Sequence, residues 1–203
     1  MCHNKYSGGV IKFPAIAKKS FDALKENAHY TNIVQLVFEQ LLKTSDPVRR
    51  AEIVHELVDH FIVSAFSNEL VQKMSPCKKG CAHCCHNEVS VTEDEIDLII
   101  QKANPIIDKD LLKKQKENFS KLSYEERKCV FLDENNSCSI YPHRPSVCRT
   151  NAVIGEPEQC IESTNLRLVN TFEADMAIYS HFLFSKKSGL LSEVLFDKLA
   201  EEE

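Results

Sequence analysis

The stretch CKKGCAHCC, residues 77–85, places four cysteines within nine positions, two of them adjacent. A chain with thiols that dense can knot them as disulfides, use a pair for redox chemistry, or gather them around metal. Eight of the nine cysteines lie between residues 77 and 160: Cys77, Cys81, Cys84, Cys85, Cys129, Cys138, Cys148 and Cys160. Their spacing is C-x3-C-x2-C-C, a long gap, then C-x8-C-x9-C-x11-C. Short loops with few apolar residues between them need a staple, and metal supplies one.

Compartment and context separate the three answers. The first twenty residues contain no apolar h-region, so no secretory signal is expected and Cys2 reads as an ordinary exposed thiol. No run of ~18 apolar residues is present to span a membrane. The expected setting is cytoplasmic, where structural disulfides are disfavoured, and adjacent Cys84 and Cys85 are expected to point their side chains apart. Cys81-Ala82-His83-Cys84 has the spacing of a thioredoxin-type pair but lacks the strand before it and the βαβ context. The C-x3-C-x2-C spacing is also that of radical S-adenosylmethionine enzymes, yet the chain has neither the length nor the alternating strands for their barrel. Metal ligation remains. Soft thiolates select Zn²⁺ or iron–sulfur iron over oxygen-loving ions. Cys77, Cys81 and Cys84 can wrap one centre, with the fourth ligand drawn from Cys129, Cys138, Cys148 or Cys160. Eight thiols fit two four-cysteine zinc sites, or one 4Fe-4S cubane with four thiols left over. With a net charge of −5 over 203 residues and no basic face, nucleic-acid binding is not expected.

Around this module the chain reads as helical. Residues 20–44 carry apolar positions at helical spacing, and Asp46-Pro47 is an N-cap with proline at the first helical position, opening a helix toward Met74. His55, Glu56 and His60 on that helix read as a solvated or satisfied face. Thr92 to Glu95 is a T-x-x-E capping box for a helix through Ala103, broken by Asn104-Pro105. Residues 106–122 read as a charged helix or helix-rich connector. Apolar flanks around Asp133-Glu134-Asn135-Asn136 predict a β-hairpin, and PHRPSVCRTN a proline-constrained turn. An amphipathic helix over 170–188, with Gly189 as its C′ residue, and a last helix from Leu191 complete the chain.

The module resembles the YkgJ-type cysteine-cluster family, the zinc- or iron-chelating CxxCxxCC domain. Its members show a cysteine-glycine step in the first cluster and then C-P-F-L … C-x-I-Y-x-x-R-P-x-x-C-R. The matching positions are Cys77, Cys81, Cys84 and Cys85, then Cys129, Phe131, Leu132, Cys138, Ile140, Tyr141, Arg144, Pro145, Cys148 and Arg149, with Cys160 following. Ala82 and Val130 depart from the family's glycine and proline, and neither change removes a ligand. The resemblance implies a chelating site over about 77–160. A relative of the domain occurs in flagellin lysine methylases with an iron–sulfur cluster, but nothing outside the module marks a methyl-donor pocket here.

Four thiolates on zinc or an oxidised cubane leave a net charge near −2, which nearby donors must balance. Arg144 and Arg149, bracketing Cys148, are the candidates to contact the cofactor, Arg149 more than Arg144. Tyr141 is expected to lay its ring over the hairpin, Lys78 and Lys79 to solvate the loop, and His83, His86 and His143 to stand behind the thiols or in solvent. The expected fold is mainly α, with a helical hairpin and C-terminal helices around a small cysteine-rich metal-binding knob bearing one short β-hairpin. The expected division is 1–76 helical, 77–160 metal-binding, and 161–203 as helices packing on that module. The expected function is a metal-binding protein with a cysteine-ligated iron–sulfur or zinc centre, with redox or iron–sulfur-dependent chemistry open to it. The alternative is a structural zinc module that binds a protein partner through its helical flanks.

Overall fold

The computed structural model describes residues 13–77, 80–157, 160, 167–169 and 171–201. Cys2, Lys78 and Lys79 lie outside the described residues. The protein is mainly α, with nine α-helices among the described residues and two antiparallel strand pairs.

The N-terminal half is a stack of helices: α1 (Ala15–Leu24), α2 (Ala28–Leu42), α3 (Pro47–Phe66) and the short α4 (Glu69–Met74). Each break has a local cause. The Asn27 side chain accepts from the His29 N–H, Asp46 from Val48, and Asn68 from Leu70 and Val71, so three N-caps divide what periodicity alone joins into two long runs. In particular, the helix expected from Pro47 to Met74 stops at Phe66 and restarts beyond Asn68.

Near the C-terminus, α8 (Phe172–Phe184) runs through the middle of this stack and packs on α1, α2 and α3. Ile33, Val37 and Leu41 of α2, Val54, Val58 and Ile62 of α3, and Ala174, Met176, Ala177, Ile178 and Phe182 of α8 form one core. Periodicity predicts an amphipathic helix for α8, but it is buried nearly all round, including Ser180 and His181. Neighbours on several sides remove the need for a polar face, so the polar positions meet buried partners instead.

A second core lies on the other side of α3. It joins Val91, Ile96 and Ile99 with Leu112, Phe131, Ile140, Val194 and Leu195. Its frame is α5 (Glu93–Leu98), which continues as a π-turn to Ala103, α6 (Lys109–Asn118) and α9 (Leu191–Glu201). The expected capping box at Thr92 and Glu95 is present, and Asn104 ends the π-turn at φ 43°, left-handed backbone that asparagine tolerates. Strand β1 (Ser90–Thr92) pairs with β4 (Ser188–Leu190), ties the two cores together and places Gly189 opposite Val91. Gly189 is therefore a strand residue and not the helix terminator that the sequence predicts. A second pair joins β2 (Val153–Ile154) to β3 (Arg167–Leu168).

The two C-terminal helices thus divide between the cores, α8 in the first and α9 in the second. The predicted hairpin is a tight turn with one bridge, Leu132 to Cys138, closed by the Asp133 N–H on the Ser137 carbonyl at 2.9 Å. The Asp133 carboxylate accepts from the N–H groups of Asn135 and Ser137, and Asn136 takes the left-handed φ of 56°. This turn lies beside the second core and carries Cys129 and Cys138, while the short helix α7 (Ser146–Thr150), whose Val147 packs against the first core, carries Cys148.

Candidate metal centre

Three segments bring thiols together. The first is the loop 80–86. Gly80, at φ 88°, makes the left-handed bend into Cys81, and a one-turn helix over His83–His86 sets Cys84 and Cys85 side by side. The second is the 129–138 turn, stitched to the first by the Cys129 N–H on the Cys85 carbonyl at 2.8 Å. The third is α7, which carries Cys148.

Four thiols from these segments, Cys84, Cys129, Cys138 and Cys148, lie near enough to act on one another electrostatically. Burial pushes the Cys129 thiol up to about 11, with Cys138 and Cys84 adding to the rise. Cys138 is raised by burial and by Cys84. Cys148 is held well above the ordinary thiol range by burial, then by the fields of Cys129, Cys84, Cys138 and Glu95. Cys84 is raised first by its hydrogen bond with Cys85 and then by burial. Without a cation these groups stay protonated, because the site desolvates thiolate and sets like charges together.

Other features oppose that trend and suit a bound cation. The sulfur of Cys129 accepts from the Phe131 N–H and that of Cys138 from the Ile140 N–H, the same two-residue step on each arm of the turn, and both bonds pull the thiol pKa down. Arg144 lowers Cys84 and Cys138 by its charge. Its guanidinium lies 3.8 Å over the Tyr141 ring, and its Nε is buried without a hydrogen bond among the described residues. An orphaned cationic donor beside two thiols is what a thiolate-bound metal would satisfy. Thiol donors in this number fit zinc or iron–sulfur iron and not hard cations. Among the described residues, however, no three His, Cys, Asp or Glu side chains stand in an arrangement that could hold a single metal ion.

Cys84 acts on the three downstream thiols and, with Cys81 and Cys160, also on Tyr124, whose phenol pKa rises through burial and the fields of Glu125, Cys160, Cys81 and Cys84. The His86 ring stacks on Tyr124 at 4.0 Å and its Nδ1–H donates to the Tyr124 carbonyl at 2.8 Å, while a ring nitrogen of His83 lies 3.2 Å from the phenol oxygen. These two histidines therefore face Tyr124. His143 is half-buried, Cys77 is exposed and Cys160 is buried. Tyr141 is 61% exposed, its ring carrying Arg144.

Arg149 behaves unlike its expected role. Its guanidinium donates to Asp59 Oδ2 at 2.6 Å, to Nδ1 of His55 at 3.2 Å, to the Pro142 carbonyl at 2.5 Å and to the Arg144 carbonyl at 3.1 Å. Four acceptors hold the charge on α3 and the turn, so Arg144 is the arginine whose field lowers the thiols. The first-cluster pattern and the arginine motif do not distinguish the two; only the fold does. His55, read from sequence as part of an ordinary helix face, and Asp59, which carries no signal there, are the residues that take Arg149 up.

No curated protein and no solved structure matches the chain. One family model does, described as "CxxCxxCC: Putative zinc- or iron-chelating domain", over residues 76–170. That span contains all eight clustered cysteines, both arginines and Tyr124. Residues 76–170 of this chain thus match the model of the CxxCxxCC zinc- or iron-chelating domain and are similar to that family.

Proposed function

We propose that the domain holds a cysteine-ligated iron–sulfur cluster on Cys84, Cys129, Cys138 and Cys148, and that the protein works in a reducing, cytoplasmic setting. The observation that carries this reading is the orphaned Arg144 Nε beside a quartet of mutually interacting thiols. Two of the four, Cys129 and Cys138, pack against the second core, and a dry apolar wall is what sets the potential of a cluster and slows its hydrolysis. Bound there, a cluster would supply one-electron redox chemistry. The chain's own part is to supply thiolates, offset their charge through Arg144 and the N–H groups of Phe131 and Ile140, and keep water from the sulfurs. Loading includes a closing-in of the thiols and the release of their protons.

One observation favours a second reading, a structural zinc ion. The paired N–H···S turns at Cys129 and Cys138 are alike, a symmetry that suits two arms of a tetrahedral site. Purification without oxygen, followed by iron, sulfide and zinc analysis, separates the two. A brown protein absorbing near ~400 nm with iron and sulfide in equal amounts supports the cluster. A colourless protein with stoichiometric zinc replaces it with the structural ion, and a protein without either metal removes both.

A further inference from the structure

Behind α7 lies a buried polar ring that the metal chemistry does not use. Glu95, fully buried, points one carboxylate oxygen at the N–H of Ser146 (2.7 Å), the first residue of α7. The same oxygen lies 3.3 Å from Nε2 of His55, and the other oxygen accepts from the Thr92 N–H at 2.9 Å. Arg149, one residue beyond Cys148, donates to the opposite nitrogen of that imidazole, Nδ1, at 3.2 Å. Since arginine cannot accept a hydrogen bond, Nδ1 must be the acceptor and Nε2 must carry the proton donated to Glu95. His55 thus closes a ring: Glu95 to Ser146, along α7 to Arg149, through the imidazole and back to Glu95. Asp59 braces Arg149 from outside at 2.6 Å.

We infer that His55 is a positioning residue for the Cys148 ligand, bridging Arg149 and Glu95 so that one end of α7 is fixed on α5, the other on α3, and the two holds are joined to each other. The inference rests on the metal reading given above. Its consequence is that a helix outside residues 76–170 completes the chelating domain. Both ends of a five-residue helix must be held for its middle thiol to keep one place, since a helix that short has little stability of its own. The ring supplies those holds without touching sulfur.

The test uses the full chain and two readouts. Cobalt(II) alone, added anaerobically to metal-free protein, reports affinity through its thiolate charge-transfer band. Alkylation of metal-free protein, with the Cys148 peptide followed by mass spectrometry, reports the thiol's placement without metal. His55→Leu removes the bridge at similar volume. His55→Gln restores it, because an amide can accept from Arg149 and donate to Glu95. His55→Leu is expected to weaken cobalt binding by about 10- to 100-fold, with a shifted band, and to speed Cys148 alkylation on the order of 10-fold. His55→Gln is expected to return both most of the way. Asp59→Asn, at a half-exposed site that leaves the core alone, should give a smaller change in the same direction. Equal alkylation in wild type, His55→Leu and Asp59→Asn overturns the positioning role while leaving the metal reading standing. The predicted alkylation order in a protein that takes up no cobalt leaves the positioning role and removes the metal reading.

Discussion

The guanidinium of Arg149 meets Nδ1 of His55 at 3.2 Å across 94 residues of sequence, joining the cysteine module to the helical stack. The motif arginine next to Cys148, a ligand in the proposed centre, is therefore an anchor, and the neighbouring Arg144 takes the electrostatic part.

Arg144→Gln should keep the fold and weaken the metal by about 10- to 100-fold. In an iron–sulfur protein it should also lower the reduction potential, since loss of a positive charge disfavours the added electron. Protein-film voltammetry on the anaerobic protein measures the shift. An unchanged potential assigns Arg144 to the Tyr141 stack alone.

The two cores should separate in their effects. Phe182→Ala, in the first core, should cost about 3–5 kcal/mol of stability while the folded fraction retains its metal. Ile140→Ala should be comparably destabilising and should also reduce metal content, because the Ile140 backbone donates to Cys138 and its side chain lies in the second core. Denaturant melts with metal analysis of the folded fraction compare them. Metal loss in Phe182→Ala would show that the cores act as one unit.

A pH dependence follows from Asp175. Burial raises its carboxyl to about 6, against a partly compensating bond from the Ser20 hydroxyl at 2.6 Å. The folded state then holds the proton more tightly than the unfolded chain, so this group favours folding at low pH. That contribution is lost as pH rises from about 4 to about 6 and stays lost above it. Asp175→Asn should flatten this interval and raise Tm at pH 7.5 by a few degrees, about 2–6 °C. No gain at pH 7.5 would mean that the Ser20 bond already offsets the burial.

Much of this architecture was legible in residues that act locally. The Asp46-Pro47 start, the Thr92–Glu95 capping box and the Asn104-Pro105 break all depend on neighbours in sequence, and all appear where the chain predicts them. The cysteine spacing pointed to the stretch that the chelating-domain model matches. What was not legible depends on distant partners. Nothing in the pattern of residues 172–184 shows that α8 is surrounded, and Gly189 at the end of an apolar run looks like a helix stop until Val91 is known to lie opposite. Glu95 was readable as a cap for its own helix, but its second use on Ser146 lies 51 residues away. Tyr124, in a charged segment with no motif, carries no sequence signal for its place among Cys81, Cys84 and Cys160.

The central claim is that Cys84, Cys129, Cys138 and Cys148 hold the metal. Metal and sulfide content of anaerobically purified single Cys→Ser variants at these four positions, beside Cys2→Ser and Cys77→Ser, tests it most directly. Each of the four should lose the centre, while Cys2→Ser and Cys77→Ser retain wild-type content. Full retention in Cys148→Ser, or loss of the centre in Cys77→Ser with retention in Cys138→Ser, would contradict the assignment.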